Sequence, residues 1–350
     1  MIFKKTISFV ASTIKFIIFF LFITETLAQE NKLRKYQNDE GILSIMYHRF
    51  NEFKYPSTNI GMDEFKSQIQ IIKRNNFEFL NPKDFEIEFF NTNKNKKIFL
   101  TIDDAFLSFY KNAWPFLKEN EIPFILFVST KPIGKKGYMS WSKIKEIEKY
   151  DFTAIGNHSH SHEYLVKYNF DIFKNDIDKS IEIFKNNLGY NPELFSYPFG
   201  EYSLEQKEYI EKNFKFAFGQ QSGVIDINKN HYELPRFPIN EKYGDLDRFN
   251  FLVKLGPLEF NEISIKDMLL SKKDNPPELI VSFFENQKGI LKINCFSNAG
   301  GSWGKPETNF LKNKLYIKFE QKFQTRRGRV NCSMQDNNLW RWFGLQFTFK

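Results

Sequence analysis

Cysteine and histidine are scarce in this chain, at two and five among 350 residues. Both cysteines, Cys295 and Cys332, lie near the C-terminus, so no cysteine stands beside the histidines as a metal ligand. They can form at most one internal disulfide. Their matching contexts, "KINCF" and "RVNCS", read as two similar strand positions; pairing is the expectation and two buried thiols the alternative. Beyond the N-terminus no apolar run is long enough for a membrane-spanning helix. A basic face or stripe is missing too. The formal charge of +8 falls to about +6 without residues 1–28, and basic residues are interleaved with acidic ones, which argues against nucleic acid as a partner. No internal repeat of the solenoid kind is found.

What is present starts with "MIFKKTISFVASTIKFIIFFLFITETLAQE". A basic start is followed by an apolar stretch interrupted by Lys15, and Thr26 and Ala28 suit a signal-peptidase site before Gln29. Residues 1–28 therefore read as a secretory signal peptide, with an uncleaved anchor as the alternative. The expectation is an exported protein of the periplasm or cell envelope, with no membrane association beyond that segment. The 42 phenylalanines are read as codon usage of an AT-rich genome, not as chemistry.

From residue 41 to about 218, apolar β-rich runs alternate with amphipathic stretches. Strands are expected at 41–50, 96–106, 122–130, 152–162 and 193–202, with helices at 62–77, 140–150 (capped by Ser140) and 171–189 between them. Such alternation implies parallel strands with helical crossovers. Polar, reactive residues recur just after strands: His48, the pair Asp103 and Asp104, three histidines, and Tyr197. Sites of parallel α/β folds form at those carboxyl ends. Residues 29–255 are thus expected as a barrel domain, 256–277 as a linker, and 278–350 as a small β-rich domain.

The chemistry concentrates in "TIDDAF" (101–106) and "NHSHSH" (157–162). Two adjacent carboxylates at a strand end point apart, so one can bind a metal and the other act as a base. If 158–162 is a strand, His158, His160 and His162 share a face. If it starts a helix, only His158 and His162 do. Either way those two can converge on one ion, and two histidines plus a carboxylate form a catalytic metal set.

In this order, "TIDDAF", "HSHSH" and "SYPFGEY" (196–202 at its core) resemble the motifs of the polysaccharide deacetylases with a NodB-homology domain. "MYHRF" and "SYPFGEY" resemble most the branch of the poly-N-acetylglucosamine deacetylases. The resemblance spans roughly residues 40–240 and implies a distorted (β/α) barrel. It implies that Asp104, His158 and His162 hold a divalent metal, zinc first among the candidates. Asp103 would be the general base toward the attacking water. The Phe199 backbone N–H in the 196–200 turn would stabilise the oxyanion, with Tyr197 also expected near substrate. The family's late L-x-H acid is missing, since "YELPRFPI" (232–239) occupies its place, and His48 is the substitute. Ser196 replaces the third-motif arginine, and Arg236 is the candidate to orient the base from another strand end. Ala105 replaces the first-motif glycine. Tyr47, Trp141, Tyr197 and Tyr202 are candidates to stack on sugars, or core residues. The implied activity is hydrolysis of N-acetyl groups on an N-acetylated polysaccharide or envelope glycan. A degenerate glycan-binding protein and a carbohydrate O-acetyl esterase are the alternatives.

Overall fold

A computed structural model of the chain describes residues 41–90, 96–226, 229–285 and 287–350. The expected signal segment lies outside these residues. Seven parallel strands follow one another across a curled sheet: β1 (Ile42–Tyr47), β2 (Lys97–Ile102), β3 (Phe124–Val128), β4 (Thr153–Asn157), β5 (Leu194–Ser196), β6 (Phe216–Phe218) and β7 (Phe237–Pro238). Their spatial order is β7-β1-β2-β3-β4-β5-β6, and Glu78–Phe79 adds an eighth strand beside β2. The segment around β7 joins the two edges. Leu234 bridges to Phe218 at the end of β6, while Phe237 pairs with Ile45 of β1. The curl therefore gathers the carboxyl ends of all seven strands round one mouth.

The strands form because they are short runs of apolar, β-branched and aromatic residues buried on both faces, as parallel sheets require. All six residues of β1 and all five of β3 are buried. The helices between them show the 3.6-residue pattern. Met62–Arg74 turns Met62, Phe65, Ile69 and Ile72 inward, with Asp63 and Glu64 in its first turn and Lys73 and Arg74 in its last, each sign matching the helix dipole. Phe170–Leu188 is capped by the Asn169 side chain and stops at Gly189, whose φ of 87° suits glycine. Ser140 holds the N-cap position of Trp141–Glu148, but its hydroxyl bonds Ser142 Oγ rather than the helix backbone.

The C-terminal part is β-rich. Strands β8 (Arg327–Asp336) and β9 (Leu339–Phe349) form a long antiparallel hairpin, flanked by Asn294–Ser297. A second sheet orders Glu262–Ile263, Leu279–Ser282, Lys314–Lys318 and Glu307–Leu311. Cys295 and Cys332 sit opposite each other in the ladder and are joined as a disulfide. The stretch 256–277 is not a free linker: Gly256–Pro257 and Leu269–Leu270 both pair with β9. Nor do the barrel and the β-rich part keep separate cores. Phe173, Phe195 and Tyr197 share one apolar cluster with Val330, Phe343 and Phe347. Each buried aromatic contributes about 1.5–3 kcal/mol, so this shared cluster ties the two parts firmly together. Among the described residues, no helix is long and apolar enough to cross a membrane.

Candidate metal centre

Asp103 and Asp104 follow β2 directly, where the chain leaves the sheet. Asp103 N–H still donates to Tyr47 O of β1, at 2.9 Å, and its carboxylate meets Arg236 and faces His158. Asp104 and Ala105 then adopt φ of 75° and 53°, which swings the second carboxylate away from the first. The two acids thereby face different partners.

Asp103 is fully buried and meets Arg236 in a two-pronged pair, Nη1 to Oδ1 at 2.7 Å and Nη2 to Oδ2 at 2.8 Å. Arg236 is itself fully buried and spends its other donors on Gly219 O, Thr101 Oγ1 and Ser196 Oγ. Ser196 stands where the family's arginine would, and its hydroxyl accepts from the arginine that arrives from the β7 segment. Burial alone would raise the Asp103 pKa; the charges of Arg236, His158 and His48 outweigh it and bring it down to about 2.

His158 follows β4. Its Nδ1 lies 2.6 Å from Ser196 O, which sets that nitrogen as the donor and leaves Nε2 with its lone pair directed into the site. Nε2 is buried and has no hydrogen-bond partner in the protein. It lies 3.7 Å from Asp104 Oδ1 and 3.8 Å from Asp103 Oδ2. Burial, only partly offset by Asp103, lowers the His158 pKa to about 4, so the ring is neutral, as a ligand must be. His162 Nε2 is 3.0 Å from Asp104 Oδ1. One ligand atom from each of Asp104, His158 and His162 lies within 4.8 Å of the other two. A neutral histidine with an orphaned inward nitrogen, a second histidine and a carboxylate together fit a divalent cation.

The stretch 158–162 is neither strand nor helix. Ser159 and His162 take φ of 70° and 55°, folding the loop so that His158 and His162 converge while His160 turns away. His160 Nδ1 bonds Thr130 Oγ1 at 2.8 Å, and the loop is pinned from outside by Asp176, which accepts from the backbone N–H of His160 and Ser161. His48, at the end of β1, is partly buried with Nδ1 unpartnered. Burial lowers its pKa, while Asp103 and Asp104 pull it up, so it lies within their electrostatic reach.

The 198–200 turn stands beside this cluster. Phe199 has φ 60° and ψ 6°, and its ring lies 4.8 Å from that of His162. Gly200 has φ 68°, and a Cβ there would fall 2.5 Å from Gln220 N, so glycine is required. Tyr197 does not reach the site. It is buried beneath the turn against Tyr202 and Phe195, in the apolar cluster shared with the β-rich part. Tyr47, Trp141 and Tyr202 also pack inward; Tyr47 donates to Gln68 and Tyr202 to Glu233, and Trp141 stands edge-on to Phe184. Other aromatics flank the cluster. Tyr164 stacks on Phe199 at 4.0 Å, and Phe106 and Tyr138 lie 5.0 Å apart with the Arg49 guanidinium 3.4 Å over Phe106. Tyr164 lies only two residues beyond His162, a proximity that would have marked it.

Comparison with known proteins agrees with this geometry. Residues 90–215 match the family model "Polysaccharide deacetylase". Over those residues the chain is similar to that family. It is 26% identical to the poly-beta-1,6-N-acetyl-D-glucosamine N-deacetylase of Staphylococcus epidermidis over 256 residues, 65% of this chain and 86% of the relative. The protein of the same name from Staphylococcus aureus strain MRSA252 is also 26% identical, over 64% of this chain and 85% of its own. The fold is that of IcaB from Ammonifex degensii (TM-score 0.55, 23% identity, 63% of this chain and 99% of that one). It is also that of the Streptococcus pyogenes deacetylase PplD, solved with acetate (TM-score 0.53, 22% identity, 58% and 94%). The relation to the poly-N-acetylglucosamine deacetylases is a distant one.

Proposed function

We propose that this chain is an exported, metal-dependent N-deacetylase acting on an N-acetylglucosamine-containing glycan and releasing acetate. One observation carries the reading: ligand atoms of Asp104 and His162 converge with the orphaned Nε2 of His158, directly beside the buried Asp103–Arg236 pair. The names of the relatives supply the substrate class. The Cys295–Cys332 disulfide supports an oxidising compartment and hence export.

Asp104, His158 and His162 would hold the cation, zinc being the first candidate for a site of two histidines and one carboxylate. When bound, a divalent ion polarises the acetyl carbonyl and lowers the pKa of a water. Asp103 supplies the base. Arg236 occupies one lone pair on each of its oxygens and leaves the others for the attacking water, with Oδ2 on the side of His158 Nε2. Arg236 thus orients the carboxylate and does not contact the sugar itself. The Phe199 backbone N–H is proposed to stabilise the oxyanion. His48 would deliver the proton that the leaving amine needs.

Acetate release should be measured on β-1,6-linked N-acetylglucosamine oligomers, on chitooligosaccharides and on an O-acetylated glycan. Release from either amide substrate is expected. Release from the O-acetylated glycan alone would overturn the reading in favour of an esterase.

A further inference from the structure

The β-rich part reaches the turn beside the candidate site through two side chains, Gln346 and Arg326. Gln346, on β9, is buried and donates from Nε2 to two successive carbonyls of the turn, Phe199 O at 3.0 Å and Gly200 O at 3.1 Å. Its Oε1 accepts from Arg329 Nε of β8 at 3.1 Å, so both ends of the amide are committed and its orientation is set. A second brace comes from the residue just before the same hairpin. The Arg326 guanidinium lies 3.5 Å over the Tyr164 ring and pairs with Glu201 at 2.8 Å, one residue past the turn. Tyr164 in turn stacks on Phe199, whose ring lies against His162.

We propose that the C-terminal β-rich part completes the active site, with Gln346 as a positioning residue for the Phe199–Gly200 turn and Arg326 as its second brace. The proposal deepens the deacetylase reading and rests on it. Phe199 holds a left-handed conformation without being glycine, and such backbone persists only where its surroundings over-determine it. The barrel gives this turn one short bond on each side, Gly200 N–H to Tyr197 O and Glu201 N–H to Pro198 O. Both are made within the turn itself. The bonds that fix its two carbonyls from outside come from a strand some 147 residues further along the chain. Held carbonyls at Phe199 and Gly200 fix the two peptide planes that directly follow the Phe199 N–H. A shift of about 1 Å at such a place costs on the order of 100-fold in rate.

Two near-isosteric changes test this. Gln346→Met removes the donors without adding charge. Gln346→Glu keeps the length and the Arg329 partner but presents only acceptors to the two carbonyls. Both should lower kcat on an N-acetylglucosamine oligomer by about 10- to 100-fold, with KM little changed. Bound zinc per chain should stay as in the wild type, the thermal midpoint should fall by only a few degrees, and amide hydrogen exchange across residues 197–203 should speed up. Unchanged kcat in both variants, or unchanged exchange across the turn, would overturn the proposal. So would loss of zinc and early melting together, which would mean a general structural role. If the wild-type protein binds no zinc and releases no acetate, the deacetylase reading fails on its own account. The brace is then decided by exchange alone: faster exchange in the variants upholds it and unchanged exchange removes it.

Discussion

Replacing Arg236 by methionine should be among the most damaging single changes in the barrel. The guanidinium makes two bonds to Asp103 and one each to Gly219 O, Thr101 Oγ1 and Ser196 Oγ, and neither member of the ion pair is exposed. Methionine fills the space but leaves Asp103 as an uncompensated buried charge. Breaking a buried pair from one side costs about 3–5 kcal/mol. Removing the charge as well should return part of that loss, so Asp103→Asn combined with Arg236→Met should be more stable than the sum of the single losses predicts. The assay is denaturant unfolding of the four proteins as a double-mutant cycle. The pH dependence has a definite sign. The folded Asp103 pKa lies at about 2, below its ordinary 3.8, so the pair's contribution is fully present above about pH 4 and is lost as pH falls toward 2. In Arg236→Met the acid limb of stability should move to higher pH. A loss under about 1 kcal/mol, or strict additivity in the cycle, would refute the view that the pair is tightly coupled.

Other outcomes follow from the same geometry. Asp103→Asn should keep the metal and lose turnover, since Asp103 is not among the three converging ligands; metal analysis with an acetate assay checks both. His48→Ala should slow amide substrates more than activated esters, whose leaving group needs no proton, and equal slowing would remove the acid role. Replacing Cys295 and Cys332 together by serine opens a loop of sequence separation 37 and should cost about 2–4 kcal/mol in denaturant unfolding.

Much of this site was legible in the sequence because of where strands end. A buried apolar run followed at once by reactive side chains marks the mouth of a parallel sheet. That pattern points to His48, Asp103, Asp104 and the histidines. Arg236 was legible because Ser196 leaves the arginine's place in the third motif empty, although Arg236 enters just before β7 and not from a strand end. The shape of 158–162 was not legible. Periodicity offers strand or helix, whereas the loop depends on left-handed Ser159 and His162 and on the Asp176 carboxylate, none of which has a period. Tyr197 illustrates another limit. Its position after β5 suggested the mouth, but its ring turns into the cluster shared with β8 and β9. That packing is long-range, as is the Gln346 contact. The stretch 256–277 misled for the opposite reason: its polar, proline-bearing texture reads as a connection, yet two short pieces of it add to the ladder of β9.

The central claim is that the histidine loop exists to hold a catalytic cation. Its most direct test is metal content of the purified protein, wild type and His158→Ala, by elemental analysis, with acetate release measured on the same samples. The account predicts about one equivalent of zinc or a similar divalent ion in the wild type, with ion and turnover lost together in the variant. A wild-type protein that binds no such ion, or a His158→Ala protein that keeps both ion and turnover, would contradict it.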